Sequence, residues 1–564
     1  MSGRDAVYVL LLAAVPALIL LHLVVAPYTK VEESFHIQAI HDILAYGIPT
    51  SNVSETLRAD YDHFTFPGAV PRTFVGAALL TGLARPFIGL QHSVDRQLLV
   101  RAILGLFNAA SLLSFAGGLR RTAGKTTAIW YLLFQSSQFH VLYYASRTLS
   151  NMFAFGMTTL ALRYLLPEPS LSTAAYRRRS RLALCLLTVA GIIFRSELAI
   201  FLATNTIFLF ATRRISILHE IIPAGIVGLV IGLTTTVVVD SFFWQQFPLW
   251  PEFEAFKFNV IHGQASAWGI DPWYFYFINA VPRLLLNPLT YLVGIPISLL
   301  QPATRSVAAS LLIPSLVFLA IYSAQPHKEW RFVIYTIPAL TAVSAQGASY
   351  IWTHRAKSII YCLLSLALLA STLASFIVST FVLLPASSAN YPGAHALHAL
   401  HNHAIPPSDN AANVSVYLGN LACQTGVTRF LQFPTSQSDS PIWNYDKTES
   451  PLLKSDPTFW SHFDYALVEP GEEAELVLSS SGAEKWRPID SVPGFAGLRV
   501  LRPGDEAIGT VERNFLGYVV GDRGVEIWSR VRELARRMVT RGWWVEVRME
   551  SKILILGRDG VENV

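Results

Sequence analysis

Charge is scarce in this chain: Asp, Glu, Lys and Arg make up 14% of its 564 residues, against about 25% in ordinary soluble proteins. With 52% hydrophobic residues and a mean hydropathy of +0.41, that shortfall excludes a conventional soluble globule and makes lipid the main solvent. Cysteine is nearly absent, with three residues in all. Cys185 and Cys362 lie inside apolar runs and Cys423 in the polar C-terminal part, which excludes a disulfide framework and the metal motifs built on paired cysteines. A continuous basic surface is also missing. The net charge of +5 comes from short clusters beside apolar runs, such as Arg177, Arg178, Arg179 and Arg181, which orient a membrane protein and do not make a nucleic-acid footprint. No internal repeat is evident.

What is present is a series of apolar stretches. The first, residues 6–26, is too long for a signal-peptide core and is followed by Pro27 and Tyr28, so it reads as a retained span. Further candidates are 98–118, 126–143, 148–166, 182–212, 219–239, 274–299, 307–324, 333–352 and 359–384. If Arg4, Arg120, Arg121, Lys125, the Arg177–Arg181 cluster, Arg213, Arg214, Arg355 and Lys357 are cytosolic, the loops 27–97, 240–273 and 326–331 share the opposite side. That bookkeeping closes when 70–90, which carries Arg72, Arg85 and Pro86, is interfacial or re-entrant, and when 182–212 bends into two short helices at Arg195 and Glu197. The expected fold is a polytopic all-α membrane domain of about eleven helices over residues 1–385. A Pro-, Ser-, Asn- and His-bearing linker follows at 386–412, then a non-cytosolic α/β module at 413–564 with strands at Val414–Leu418, Tyr465–Val468 and Leu498–Leu501 and a charged helix near 525–540. Sequons at Asn52 and Asn413 fall on the same side as the long loops.

Three polar constellations sit in those loops. Directly after the first span comes Lys30-Val-Glu-Glu-Ser-Phe, whose adjacent carboxylates Glu32 and Glu33 at a membrane boundary need either solvent or a task. The loop continues through Tyr61-Asp-His-Phe-Thr-Phe-Pro-Gly and Val70-Pro-Arg-Thr-Phe, adding Asp62, His63 and Arg72. The second constellation runs from Trp250-Pro-Glu-Phe-Glu through Lys257, His262 and Trp268 to Arg283; aromatics at this density also suit an interfacial belt. The third, Pro326-His-Lys-Glu-Trp-Arg-Phe, places His327, Lys328 and Arg331 at the opening of a helix, where backbone N–H groups favour an anion. A luminal-type turn would carry the same charges at no cost. Arg147 and Asn151 mark a smaller polar point. His395, His398, His401 and His403 lack Cys or acidic partners and read as solvated.

These motifs resemble those of glycosyltransferase family 22: Lys30-Val-Glu-Glu-Ser-Phe with Tyr61–Gly68 is similar to its first luminal loop, and His327-Lys-Glu-x-Arg-Phe to its hallmark. Relatives carry Asp-Glu where Glu32 and Glu33 stand, and the first acidic residue is the favoured catalytic one. The resemblance implies a GT-C fold and an inverting mannosyltransferase in the endoplasmic reticulum membrane with a luminal site. The implied donor is dolichyl-phosphate-mannose and the acceptor a dolichyl-diphosphate oligosaccharide. Glu32, or Glu33, would be the base; His327, Lys328, Arg331, Lys257 and Arg283 would face the donor phosphate; Asp62, His63, Arg72, Trp250, His262, Trp268 and Arg147 would bind substrate. Neither a cofactor nor a metal is called for, and the chain is expected to act as a monomer among membrane lipids. Gln424-Thr-Gly-Val-Thr-Arg-Phe-Leu and Trp443-Asn-Tyr-Asp-Lys resemble the α-1,6-linking subgroup more than enzymes making α-1,2 linkages or acting on glycolipid anchors. A secondary transporter is the rival of another class, but it would place ionisable groups near the midplane and often show inverted repeats.

Overall fold

The computed structural model describes residues 3–90, 95–169, 171–403, 413–433, 442–472, 486–506 and 510–558. The chain divides into two compact units, Met1–Val24 with Ala39–Thr380 and Val25–Gln38 with Phe381–Val564. The first is helical. Among the described residues, Asp5–Val25, Arg96–Ala123, Ile217–Trp244, Pro302–Tyr322 and Ile359–Ser388 are long and apolar enough to cross a bilayer, and the bent pair Tyr276–Leu285 with Thr290–Leu300 makes a sixth if it is one span. The other expected stretches form helices that are shorter, interrupted or, like Thr173–Ile193, more highly charged. Residues 126–143 break at Gln138 between Lys125–Ser137 and Phe139–Tyr144, and 148–166 becomes the sixteen-residue helix Ser150–Leu165. The stretch 70–90 holds the short helix Val75–Leu90, and 182–212 is split at 194–197 between Thr173–Ile193 and Leu198–Ala211.

Small residues let these helices approach. A Cβ at Gly228 would lie 2.7 Å from Thr188 and one at Gly232 3.0 Å from Ile192, so the Gly-x-x-x-Gly face of Ile222–Trp244 packs directly on Thr173–Ile193. At one end of the bundle the buried Glu168 carboxylate receives Arg163 at 2.7 Å and Arg121 and Arg179 at 3.1 Å each. Three helix ends are thus tied by the clusters that the charge pattern placed on one side.

The second unit contains a five-stranded sheet in the order β2-β1-β3-β5-β4. Its strands are β1 Val414–Leu418, β2 Trp443–Asp446, β3 Tyr465–Val468, β4 Trp486–Leu501 and β5 Trp544–Arg558. β1 pairs in parallel with β2 and β3, while β5 runs antiparallel to β3 and β4. Part of the expected linker is structured: Pro392–His403 is a helix, and its Ala396, Leu397 and Leu400 join Val416, Leu467 and Ile555 in the core. Its histidines are not simply solvated. His401 hydrogen-bonds the Tyr445 hydroxyl at 2.8 Å and packs on Phe433, and His395 meets Tyr28 edge-on at 5.0 Å. No cluster of three metal-ligating side chains occurs among the described residues.

Candidate active site

The two carboxylates after the first span are locally distinct. Helix Val31–Tyr46 starts immediately before them, and Glu33 folds back so that its Oε1 accepts the Lys30 backbone N–H at 3.1 Å. That is the reciprocal half of a capping box, which satisfies an otherwise orphaned donor at the helix start. Glu33 is buried, at 2% exposure, while Glu32 beside it is half-buried. One carboxylate thus shapes the helix terminus and the other presents more of its surface. Both belong to the unit that includes Val25–Gln38.

The remaining candidates lie in the helical unit. His63 is buried against Phe64, Phe74 and Trp244. Its Nε2 donates to the Phe243 carbonyl at 2.9 Å, satisfying a carbonyl at the end of helix Ile222–Trp244. Burial holds the His63 imidazole below its usual pKa, which keeps it neutral. The Asp62 N–H donates to the Asp42 carboxylate at 2.8 Å, and the Arg72 carbonyl accepts the Trp244 indole N–H at 3.0 Å. This stretch of the first loop is therefore docked as a unit on the helix end.

In the second loop, Trp250 donates its indole N–H to the Ile192 carbonyl at 2.9 Å and stacks on Phe253 at 5.3 Å. Lys257 pairs with Glu254 at 2.6 Å. His262, Trp268 and Arg283 are exposed. Arg147 is buried with its guanidinium 4.1 Å from the Tyr143 ring centroid.

The His327–Arg331 segment is held by a set of short polar contacts. Glu329 Oε1 receives Arg331 at 2.6 Å and His327 Nε2 at 3.1 Å, so one carboxylate sets two cationic or donor groups side by side. Lys328 behaves differently: at 4% exposure, its ammonium donates to the carbonyls of Gln325 at 2.5 Å, Asp271 at 2.8 Å and Pro326 at 3.4 Å. Burial lowers its pKa, partly countered by Asp271. The Asp271 N–H returns a hydrogen bond to the Pro326 carbonyl at 3.0 Å. Lys328 in this conformation clamps the second loop to the hallmark segment. Residue 271 of the second loop, which was not among the expected site residues, is thereby joined to the 326–331 segment.

A buried network that the motifs did not reveal supports this segment from behind. The Arg195 Nε contacts both oxygens of Glu197 at 2.9 and 3.2 Å, and Glu197 Oε1 also accepts Asn151 at 3.2 Å and the Tyr335 hydroxyl at 3.3 Å. Asn151 donates to that hydroxyl at 2.8 Å. The Arg195 guanidinium sits 5.0 Å from the Phe332 ring centroid, and Glu252 accepts the Ser196 N–H at 2.8 Å. The break in 182–212, the start of the second loop and the turn Trp330–Thr336 therefore share one set of charges. The sequence signal was available: opposite charges two residues apart inside an apolar run rarely survive without partners. Replacing Arg195 by Met should leave Glu197 without its cation and destabilise the protein by about 3 kcal/mol, read by thermal unfolding in detergent. An unchanged midpoint would contradict the role given to this pair.

Two carboxylates, Glu197 and Glu252, face the Arg195 cation, and Arg72 also acts on Glu252. Burial pushes the Glu252 pKa up to about 7, with Arg195 opposing it and Glu197 adding to it. A carboxylate raised in the folded state stabilises it fully below the unfolded value near pH 4.5, and that contribution is lost as pH rises through 7. The apparent melting temperature should therefore fall between pH 5 and pH 8, and Glu252→Gln should flatten that slope. Equal slopes in the two proteins would refute the assignment.

The comparisons with known proteins cover most of the chain. Residues 11–432 match the model of the Alg9-like mannosyltransferase family. The Dol-P-Man:Man(7)GlcNAc(2)-PP-Dol alpha-1,6-mannosyltransferase of Saccharomyces cerevisiae is 34% identical, over 85% of this chain and 86% of its own length. The human GPI alpha-1,2-mannosyltransferase 3 is 26% identical over 58% of this chain and 55% of its own. A crystal structure of ArnT from Cupriavidus metallidurans bound to undecaprenyl phosphate superposes with a TM-score of 0.57, covering 86% of this chain and 96% of that one at 14% identity, which is a likeness of fold.

Proposed function

The chain belongs to the Alg9-like mannosyltransferase family, and from that premise we propose how its residues carry out the transfer of mannose from dolichyl-phosphate-mannose to a dolichyl-diphosphate oligosaccharide through an α-1,6 linkage. The observation that carries the linkage is the yeast α-1,6 relative, 34% identical over 85% of this chain, against 26% over 58% of the chain for the α-1,2 enzyme of glycolipid-anchor synthesis. Membrane-crossing helices make the protein multi-pass; its place is the endoplasmic reticulum membrane, with chemistry on the luminal face.

The donor carries a β-linked mannose and the product an α-linked one, so a single displacement with inversion is required. The acceptor 6-hydroxyl attacks the anomeric carbon, its proton passes to Glu32, and the bond from that carbon to the phosphate oxygen breaks with its electron pair leaving on dolichyl phosphate. Glu32 takes this role because Glu33 is engaged in the helix cap. The departing group is already an anion and needs positive charge, not a proton. Arg331, held in register by Glu329 beside His327, supplies it, His327 lines the same phosphate site, and Lys328 adds its field while clamping the loop. Lys257 and Arg283 line the approach of the donor phosphate, and Asp62, Arg72, Arg147, Trp250, His262 and Trp268 shape the sugar sites. His63 acts through packing.

The test is an acceptor series with the purified protein and dolichyl-phosphate-mannose. Addition of one mannose to the Man7 dolichyl-diphosphate acceptor, with none to a glycolipid-anchor acceptor, is the expected result. Preference for the anchor acceptor would overturn the proposal.

A further inference from the structure

The helix Thr510–Met538 is broken at Gly521, where φ is +68°, so residues 522–538 form a separate helical segment. Along it Ile527, Val531, Leu534 and Met538 are 63%, 50%, 59% and 75% exposed. Their spacing of i, i+4, i+7 and i+11 stacks them in one stripe. Beside that stripe the seven-residue repeat of Arg523, Arg530 and Arg537 makes an exposed row, in which Arg530 pairs with Glu526 at 2.6 Å and Arg537 with Glu533 at 3.1 Å, exposed pairs that lipid phosphates can replace. The opposite side is fastened: the buried Arg536 donates to the carbonyls of Gly542, Arg502 and Asp505 at 2.7 to 2.8 Å. The stripe is thereby turned away from the module's own body.

What covers it is indicated by Trp528, which stacks on Phe381 at 5.2 Å and 6°. Phe381 belongs to the apolar span Ile359–Ser388. It lies 22 residues beyond Ile359, a rise of about 33 Å in a helix, against a hydrocarbon thickness of about 30 Å. The segment is thus joined through Trp528 to the residues with which that span ends. We propose that residues 522–538 lie in the interfacial layer of the leaflet where the last span ends, with the stripe in the acyl boundary and the arginine row on lipid phosphates. This anchoring lies outside the family-matched residues 11–432 and stands independently of the catalytic reading.

The test uses the full chain, with Cys185, Cys362 and Cys423 replaced by Ala. It is reconstituted one per nanodisc in phosphatidylcholine and phosphatidylinositol and carries a single nitroxide at position 527, 531, 534, 538, 526 or 533. A thermal unfolding midpoint unchanged from the unlabelled protein certifies the fold of each labelled protein. At the four stripe positions collision with oxygen should exceed collision with a water-soluble nickel chelate severalfold, and the reverse should hold at 526 and 533. Nickel dominating at all six positions, or both quenchers excluded from the stripe by covering protein, would overturn the proposal.

Discussion

Glu32→Gln should lower the rate of mannose transfer by about 10³-fold with little change in donor affinity, the loss expected when a positioned general base is removed. The amide is nearly isosteric and cannot take the acceptor proton. Glu33→Gln should behave differently, because Gln can still accept the Lys30 N–H that Glu33 now receives, and a capping box tolerates either side chain. Its transfer rate should stay within a fewfold of the unmodified protein. Glu33→Ala should instead cost about 1 kcal/mol of stability by removing the cap. Single-turnover rates and unfolding midpoints for the three variants separate proton transfer from helix capping. A reversed order, with Glu33→Gln inactive and Glu32→Gln active, would move the base by one residue.

The second large effect belongs to Arg331. Arg331→Ala should reduce kcat by about 10²- to 10³-fold, the scale measured when one preorganised charge or donor is taken from a developing anion. Lysine should restore only part of the loss, because it keeps the charge but not the planar fork that reaches Glu329 at 2.6 Å. Lys328→Met should affect stability and loop order at least as much as turnover, since its ammonium is spent on three carbonyls. The comparison of kcat with the unfolding midpoint for these variants distinguishes a charge that acts on the leaving group from one that holds a loop.

Much of this architecture was readable from particular residues. Arg195 and Glu197 inside an apolar run announced the break between Thr173–Ile193 and Leu198–Ala211. Val414–Leu418 and Tyr465–Val468 were recognisable as strands from their apolar, β-favouring residues. The helix Pro392–His403 was not, because Pro, Asn and His signal a loop locally, while burial of Ala396, Leu397 and Leu400 decides the outcome through tertiary contacts. The His327–Arg331 motif marked a stretch of ionisable residues. It could not distinguish Arg331, paired with Glu329, from Lys328, buried among carbonyls, because side-chain direction depends on residues 269–271 from a remote loop. The partners of Glu197 are likewise drawn from Asn151 and Tyr335, far apart in sequence.

The most direct test of the account is the stereochemistry of the product. Purified protein, given dolichyl-phosphate-mannose and the Man7 dolichyl-diphosphate acceptor, should yield a single new residue that NMR identifies as α-linked to the 6-position of a mannose. A β-linked product, an α-1,2 linkage, or no transfer at all would contradict it.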